Sequence, residues 1–145
     1  MNYVDIDAFL EAVRGLVAGL GTFKDVVVSH ATDTGQLLEE MEAASVPAAI
    51  VGLGDVEYDE EGVRRTLRPV IVVLDTFRRG GSRRAASVWS LAKGVEGLFQ
   101  ARLESGETGY REVLGIPFWL SEARPLALSG RLAAVAVSLE GVEYI

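Results

Sequence analysis

The stretch VRRTLRPVIVVLDTF, residues 63–77, decides the fold. Its centre, Val70 to Leu74, is continuously apolar and mostly β-branched, which predicts a strand buried on both faces. Pro69 has no N–H to offer a ladder, so it should stand at an edge, a bulge or the start of the strand. Upstream, Asp59-Glu60-Glu61-Gly62 reads as a turn, and AAIVGLGDVEY, Ala48 to Tyr58, as the partner strand. Gly52 and Gly54 within it mark a bulge or a bend. Downstream, RRGGSRR, Arg78 to Arg84, reads as a loop on its Gly-Gly pair.

Outward from this hairpin the pattern alternates. Asp5 to Leu20 is an amphipathic helix, with Ile6, Phe9, Leu10, Val13, Leu16, Val17 and Leu20 on one stripe, Asp5 as N-cap and Gly21 as stop. Val26 to Val28 is a brief strand. Asp33 and Gln36 have capping-box spacing, placing a short helix over Gln36 to Ala43. A third helix is expected from near Arg84 to about Leu103. Val88, Ala92, Val95 and Phe99 form its stripe, widened by Leu91, Leu98 and Trp89. Gly94 and Gly97 inside that helix are read as points of close backbone approach. Glu104 to Gly115 reads as an exposed loop. Phe118 to Leu128 and Leu132 to Leu139 form a closing hairpin about Ser129-Gly130, with Gly141 to Ile145 as a tail. Phe118 and Trp119 must face opposite ways, one into the core and the other a candidate interface anchor. The expected fold is α+β. One domain over residues 1–145 holds an antiparallel-rich sheet of four to five strands, with two main helices and one short helix packed on it.

Composition narrows the function classes. The chain of 145 residues carries a formal net charge of −7, which repels nucleic acid and anionic membrane on average. With no cysteine, thiolate catalysis, disulfides and zinc–sulfur or iron–sulfur sites are excluded. No apolar run approaches the roughly 20 residues of a membrane helix. The start, MNYVDIDAF, lacks the basic region of a secretory signal. No cofactor motif is visible, and no enzyme is expected.

Three groups of residues could carry function. His30, the only histidine, stands beside Ser29 and near Asp33, too local for a triad, and reads as a polar loop residue or a helix-entry residue. Asp55, Glu57, Asp59, Glu60 and Glu61 match no EF-hand and read as a solvated hairpin tip. Arg78, Arg79, Arg83 and Arg84 crowd a helix start without a phosphate-loop motif, and oppose the helix dipole. They call for a negative partner, either the acidic tip of a neighbouring copy or DNA crossing a channel, the alternative being a solvated flexible loop.

The chain resembles the tail terminator proteins of tailed phages, in particular those of Mu-like prophages. The resemblance lies in the N-terminal helix, VVVSHA, PAAIVGLGDVEYD paired with LRPVIVVLDTFRRGG, the helix SVWSLAKGVEGLFQ and the closing SGRLAAVAVSLEGVEY. VIVVLDTFRRGGSRRAAS is its most distinctive passage. The resemblance implies a homo-oligomeric ring, usually a hexamer, that ends the tail tube and joins it to a head completion or connector protein. It implies no catalytic residue, and a place in the virion tail and the host cytoplasm. The Arg78–Arg84 and Asp55–Glu61 contacts, with Trp119, are read from the residues rather than from the family. The alternative from the residues is a small cytoplasmic ligand-binding or regulatory α+β domain, which would need a closed apolar pocket with convergent polar groups.

Overall fold

The computed structural model describes residues 2–76, 82–100, 109–126 and 132–145, with side chains in the third helix described from Val88 onward. Helix α1 spans Ile6–Ala18, where the Asp5 carboxylate accepts the Ala8 N–H at 3.1 Å. Phe9, Leu10, Val13 and Val17 are its buried stripe. Strand β1, Asp25–Val28, leads to α2, Thr34–Ala43. Asp33 accepts the Gln36 N–H at 2.8 Å, and the Gln36 side chain reaches back to the Thr32 N–H at 2.8 Å. That reciprocal cap starts the helix two residues before the expected Gln36. Strands β2, Ala48–Tyr58, and β3, Arg64–Thr76, form the predicted hairpin. Helix α3, Ser82–Leu98, buries Val88, Ala92, Val95 and, just past its end, Phe99. Strands β4, Arg111–Val113, β5, Ile116–Leu126, and β6, Leu132–Tyr144, complete the chain.

The expected antiparallel-rich sheet of four to five strands is corrected to six strands of mixed direction, in the order β1-β2-β3-β6-β5-β4, curled into a half-barrel. β1 and β2 pair in parallel, Asp25 opposite Ala48 and Val28 opposite Val51; the other pairs are antiparallel. The reason is the crossover through α2, which returns the chain to the end of the sheet where β1 began. The extra strand is β4, which lies inside the expected loop Glu104–Gly115. Its tight turn at Leu114-Gly115 was hidden because leucine is a poor turn residue. The expected tail, Gly141 to Ile145, is also largely strand: Tyr144 stands opposite Arg64. The Ser129-Gly130 turn lies outside the described residues.

Two insertions bend the sheet along one row. On β2 the register slips at Gly54, between Leu53 opposite Pro69 and Asp55 opposite Arg68. A Cβ on Gly54 would come 2.9 Å from the Arg68 carbonyl oxygen, so only glycine fits. On β5 the register slips at Ser121, beyond Leu120 opposite Leu139. Pro69 thus sits in a central strand, and its missing N–H falls beside a bulge.

Both sheet faces are covered. α1 and α3 pack on one face, over Ala49, Val51, Leu67, Ile71, Val73, Val135 and Val137. On the other face Met41 of α2 joins Ala48, Ile50, Val72, Leu74, Ala134 and Ala136. This explains the uninterrupted apolar run in β3. The glycines of α3 are corrected: Gly94 meets only a Leu20 methyl at 3.9 Å, and Gly97 meets nothing within 4 Å. The close approach is at Gly141 instead, where any Cβ would overlap the Phe118 ring. Phe118 is fully buried there and stacks on Phe9 at 4.8 Å between centroids. Trp89, expected on the buried side of α3, is exposed.

These two glycine environments predict opposite effects. Gly141→Ala forces Phe118 off Phe9 and should cost about 1–3 kcal/mol of stability. Gly94→Ala, with room for a methyl in a helix, should add up to about 1 kcal/mol. Equilibrium denaturation of the two variants checks both signs.

Candidate assembly surface

The acidic tip predicted from the sequence is the β2–β3 turn and the strand before it. Asp59 is held inside the turn: its carboxylate accepts the N–H groups of Val63 and Arg64 at 3.0 and 3.2 Å. The Gly62 N–H donates to the Asp59 carbonyl at 3.1 Å, with Gly62 at φ 72°. Aspartate at the first position and glycine at the fourth are the residues such a turn favours. Asp55 and Glu57, two apart on β2, face the same side of the sheet. Arg68 of β3 bridges them at 3.0 and 2.8 Å, and reaches Glu140 of β6 at 3.5 Å. Its hydrogen bonds to Glu57 and then Asp55 hold this guanidinium above its usual range. Two of the acids are therefore paired within the copy by a single arginine, which offsets one of their two charges, and a third builds the turn. Among the described residues, no ion pair engages Glu60 or Glu61, which stand exposed at the tip.

Beneath the tip lies a group that sequence reasoning missed. Arg65 and Glu143 are 5% and 8% exposed and pair at 2.6 Å. The other carboxylate oxygen accepts the Val4 N–H at 2.7 Å, and Arg65 donates to the Val4 carbonyl at 2.7 Å. The Tyr3 ring covers the guanidinium at 4.5 Å, and the Tyr3 hydroxyl donates to the Gly62 carbonyl at 2.5 Å. Desolvation first, and then the Asp59 carboxylate, raises this phenol above its ordinary value. One signal was present in the sequence: Arg65 is in phase with Leu67 and Ile71, and Glu143 with Leu139 and Val137, all inward-facing.

The remaining expected site residues separate. Trp119 is half-buried on the sheet face opposite to buried Phe118, across from Glu140. Arg78 and Arg79 lie outside the described residues. Arg83 and Arg84 fall in the first turn of α3, and their side chains lie outside the described residues. His30 is exposed and lines a groove of about 450 Å³, floored by Leu37, Ile50, Val70 and Val72. The rim's polar groups are largely spent on their own loop: Ser29 accepts the Ala31 N–H, and Asp33 and Gln36 cap α2. Among the described residues, no group of three or more His, Asp or Glu side chains is placed to hold a metal ion. No described helix is long and apolar enough to cross a membrane.

Removing one partner of the buried pair leaves the other charge uncompensated. Glu143→Ala should therefore cost about 3–5 kcal/mol. Arg68→Ala, at a solvent-screened pair, should shift the unfolding midpoint far less. Chemical denaturation of the two variants side by side tests this ranking. The chain matches no protein-family model and no curated protein.

Proposed function

We propose that this chain is a structural subunit of a tailed-phage particle, of the tail-terminator type. In this reading, copies join head to tail into a ring, a hexamer, on the end of the tail tube. The ring halts tube growth and presents a surface to a head completion or connector protein, with DNA passing through its centre. The protein makes no bonds and carries no cofactor. It works in the virion tail after assembly in the bacterial host cytoplasm.

One observation carries the reading: charges of opposite sign belong to opposite ends of one strand. The acidic tip adjoins Arg64, at the start of β3, and the arginine segment 78–84 follows Thr76, at its end. At roughly 3.3 Å per residue the two ends of β3 are about 40 Å apart. The few residues joining Thr76 to Ser82 reach at most about 18 Å. Within one copy the arginines cannot meet Glu60 and Glu61. Between copies they can, and an end-to-opposite-end contact is the heterologous kind that closes into rings. Such complementarity sets register and association rate.

The second reading, a small cytoplasmic ligand-binding or regulatory domain, draws on the groove beside His30, whose volume falls in the range of ligand pockets. Its rim offers few unspent polar groups, so the ring reading is preferred.

A charge swap tests the proposal. Glu60→Arg with Glu61→Arg should abolish rings in negative-stain images and lower the sedimentation coefficient. Mixing that variant with an Arg79→Glu, Arg83→Glu variant should restore mixed assemblies, all contacts weakening with salt. A monomer under every condition, releasing a stoichiometric small molecule in native mass spectrometry, would favour the second reading.

A further inference from the structure

The acidic end of the sheet is also its most apolar exposed region. Of the eight large hydrophobic side chains exposed among the described residues, five gather there: Tyr58, Val63, Leu114, Tyr144 and Ile145. Four of them are physically linked, while Tyr58 packs on Tyr3 at the other face. The Ile145 N–H donates to the Val63 carbonyl at 3.0 Å, and Leu114 and Tyr144 line one cleft of about 390 Å³. The other three, Leu38, Trp89 and Tyr110, lie on α2, on α3 and before β4. Scattered apolar residues need no explanation, whereas a gathered set does.

Leu114 makes the case sharper. It occupies the two-residue turn between Val113 and Ile116, at φ 51°, with Gly115 at φ 81°. Such turns require positive φ at both positions and favour asparagine, aspartate or glycine. A leucine there strains the backbone, and its side chain is 53% exposed to water. Neither cost is recovered inside one copy.

We propose that this end of the sheet is the seat for the arginine segment 78–84 of a second copy, with Tyr144 stacking on a guanidinium group, Glu60 and Glu61 accepting hydrogen bonds, and Leu114 covering the aliphatic stems; Tyr58, on the opposite sheet face against Tyr3, stays outside it. The proposal rests on the head-to-tail reading and names its contact. Charge complementarity selects the occupant: acidic residues beside an exposed aromatic ring suit arginine, which stacks and forks at once. The molecule already uses this chemistry internally, where Arg65 lies between the Tyr3 ring and the Glu143 carboxylate. Tyr144, 71% exposed, offers a ring face without rearrangement.

The test titrates a synthetic peptide of sequence FRRGGSRRA, residues 77–85, onto the full-length protein and follows backbone amide shifts by NMR. The shifts should centre on Glu60, Leu114 and Tyr144 and fade with added salt. Tyr144→Ala and Leu114→Asn should each weaken the peptide about tenfold. Leu114→Asn should leave the melting temperature equal or higher, because asparagine tolerates positive φ. Absence of binding, shifts centred elsewhere, or an affinity unchanged from the parent chain in both variants would overturn the seat. Rings without peptide binding would remove this contact and leave the assembly reading; peptide binding by a chain that never forms rings would do the reverse.

Discussion

The Glu143 carboxylate sets the frame of this molecule. It is buried, and it holds Arg65 of the neighbouring strand with one oxygen and the Val4 backbone N–H with the other. Taking two charges out of water is costly, and only complete hydrogen bonding offsets it. Here the Val4 carbonyl and the Tyr3 ring supply the rest of the Arg65 shell. The chain just before α1 is thereby tied to the end of the sheet. Two residues along β6 from Glu143, Gly141 gives room for Phe118 to stack on Phe9 of α1. The position of α1 over the sheet follows from these two neighbouring points on one strand.

The same end of the sheet presents the acidic tip, and the two properties are connected. The row of insertions at Gly54 and Ser121 bends the long strands, so the tip half of β2 and β3 departs from the half that carries the main core. Beyond the bend, one sheet face bears Asp55, Glu57, Arg68 and Glu140 beside half-buried Trp119 and Val142. Arg68 keeps these carboxylates from repelling one another. Glu60 and Glu61, at the turn, stand exposed with no ion pair among the described residues. The tip is therefore a rigid bearer of negative charge, braced by Asp59 within the turn and by Tyr3 from below.

In the proposed reading this surface serves assembly. Its carboxylates are engaged by arginine or by turn amides, or else stand open to water, and none shares a pocket with the histidine. The apolar residues beside it gain nothing while exposed. Both features acquire a physical role if the opposite end of another copy, rich in arginine, is the intended neighbour.

Local sequence patterns were enough for much of this. Periodicity marked the stripes of α1 and α3, the β2–β3 hairpin and the opposed directions of Phe118 and Trp119, because those depend on spacing along a single element. Capping and turn signals likewise act over a few residues, as at Asp5, Asp33 and Asp59. Only the tertiary structure decided which strands are neighbours. The parallel seat of β1, the full length of β6 and the short β4 all depend on partners remote in sequence. Arg65 and Glu143 stand 78 positions apart, so each pattern showed an inward-facing charge but neither could name its partner. The candidate surface follows the same division. Its acids were legible as a run, whereas the pairing of two of them with Arg68 and the gathering of Leu114, Tyr144 and Val63 at one end exist only once three separate chain segments are brought side by side.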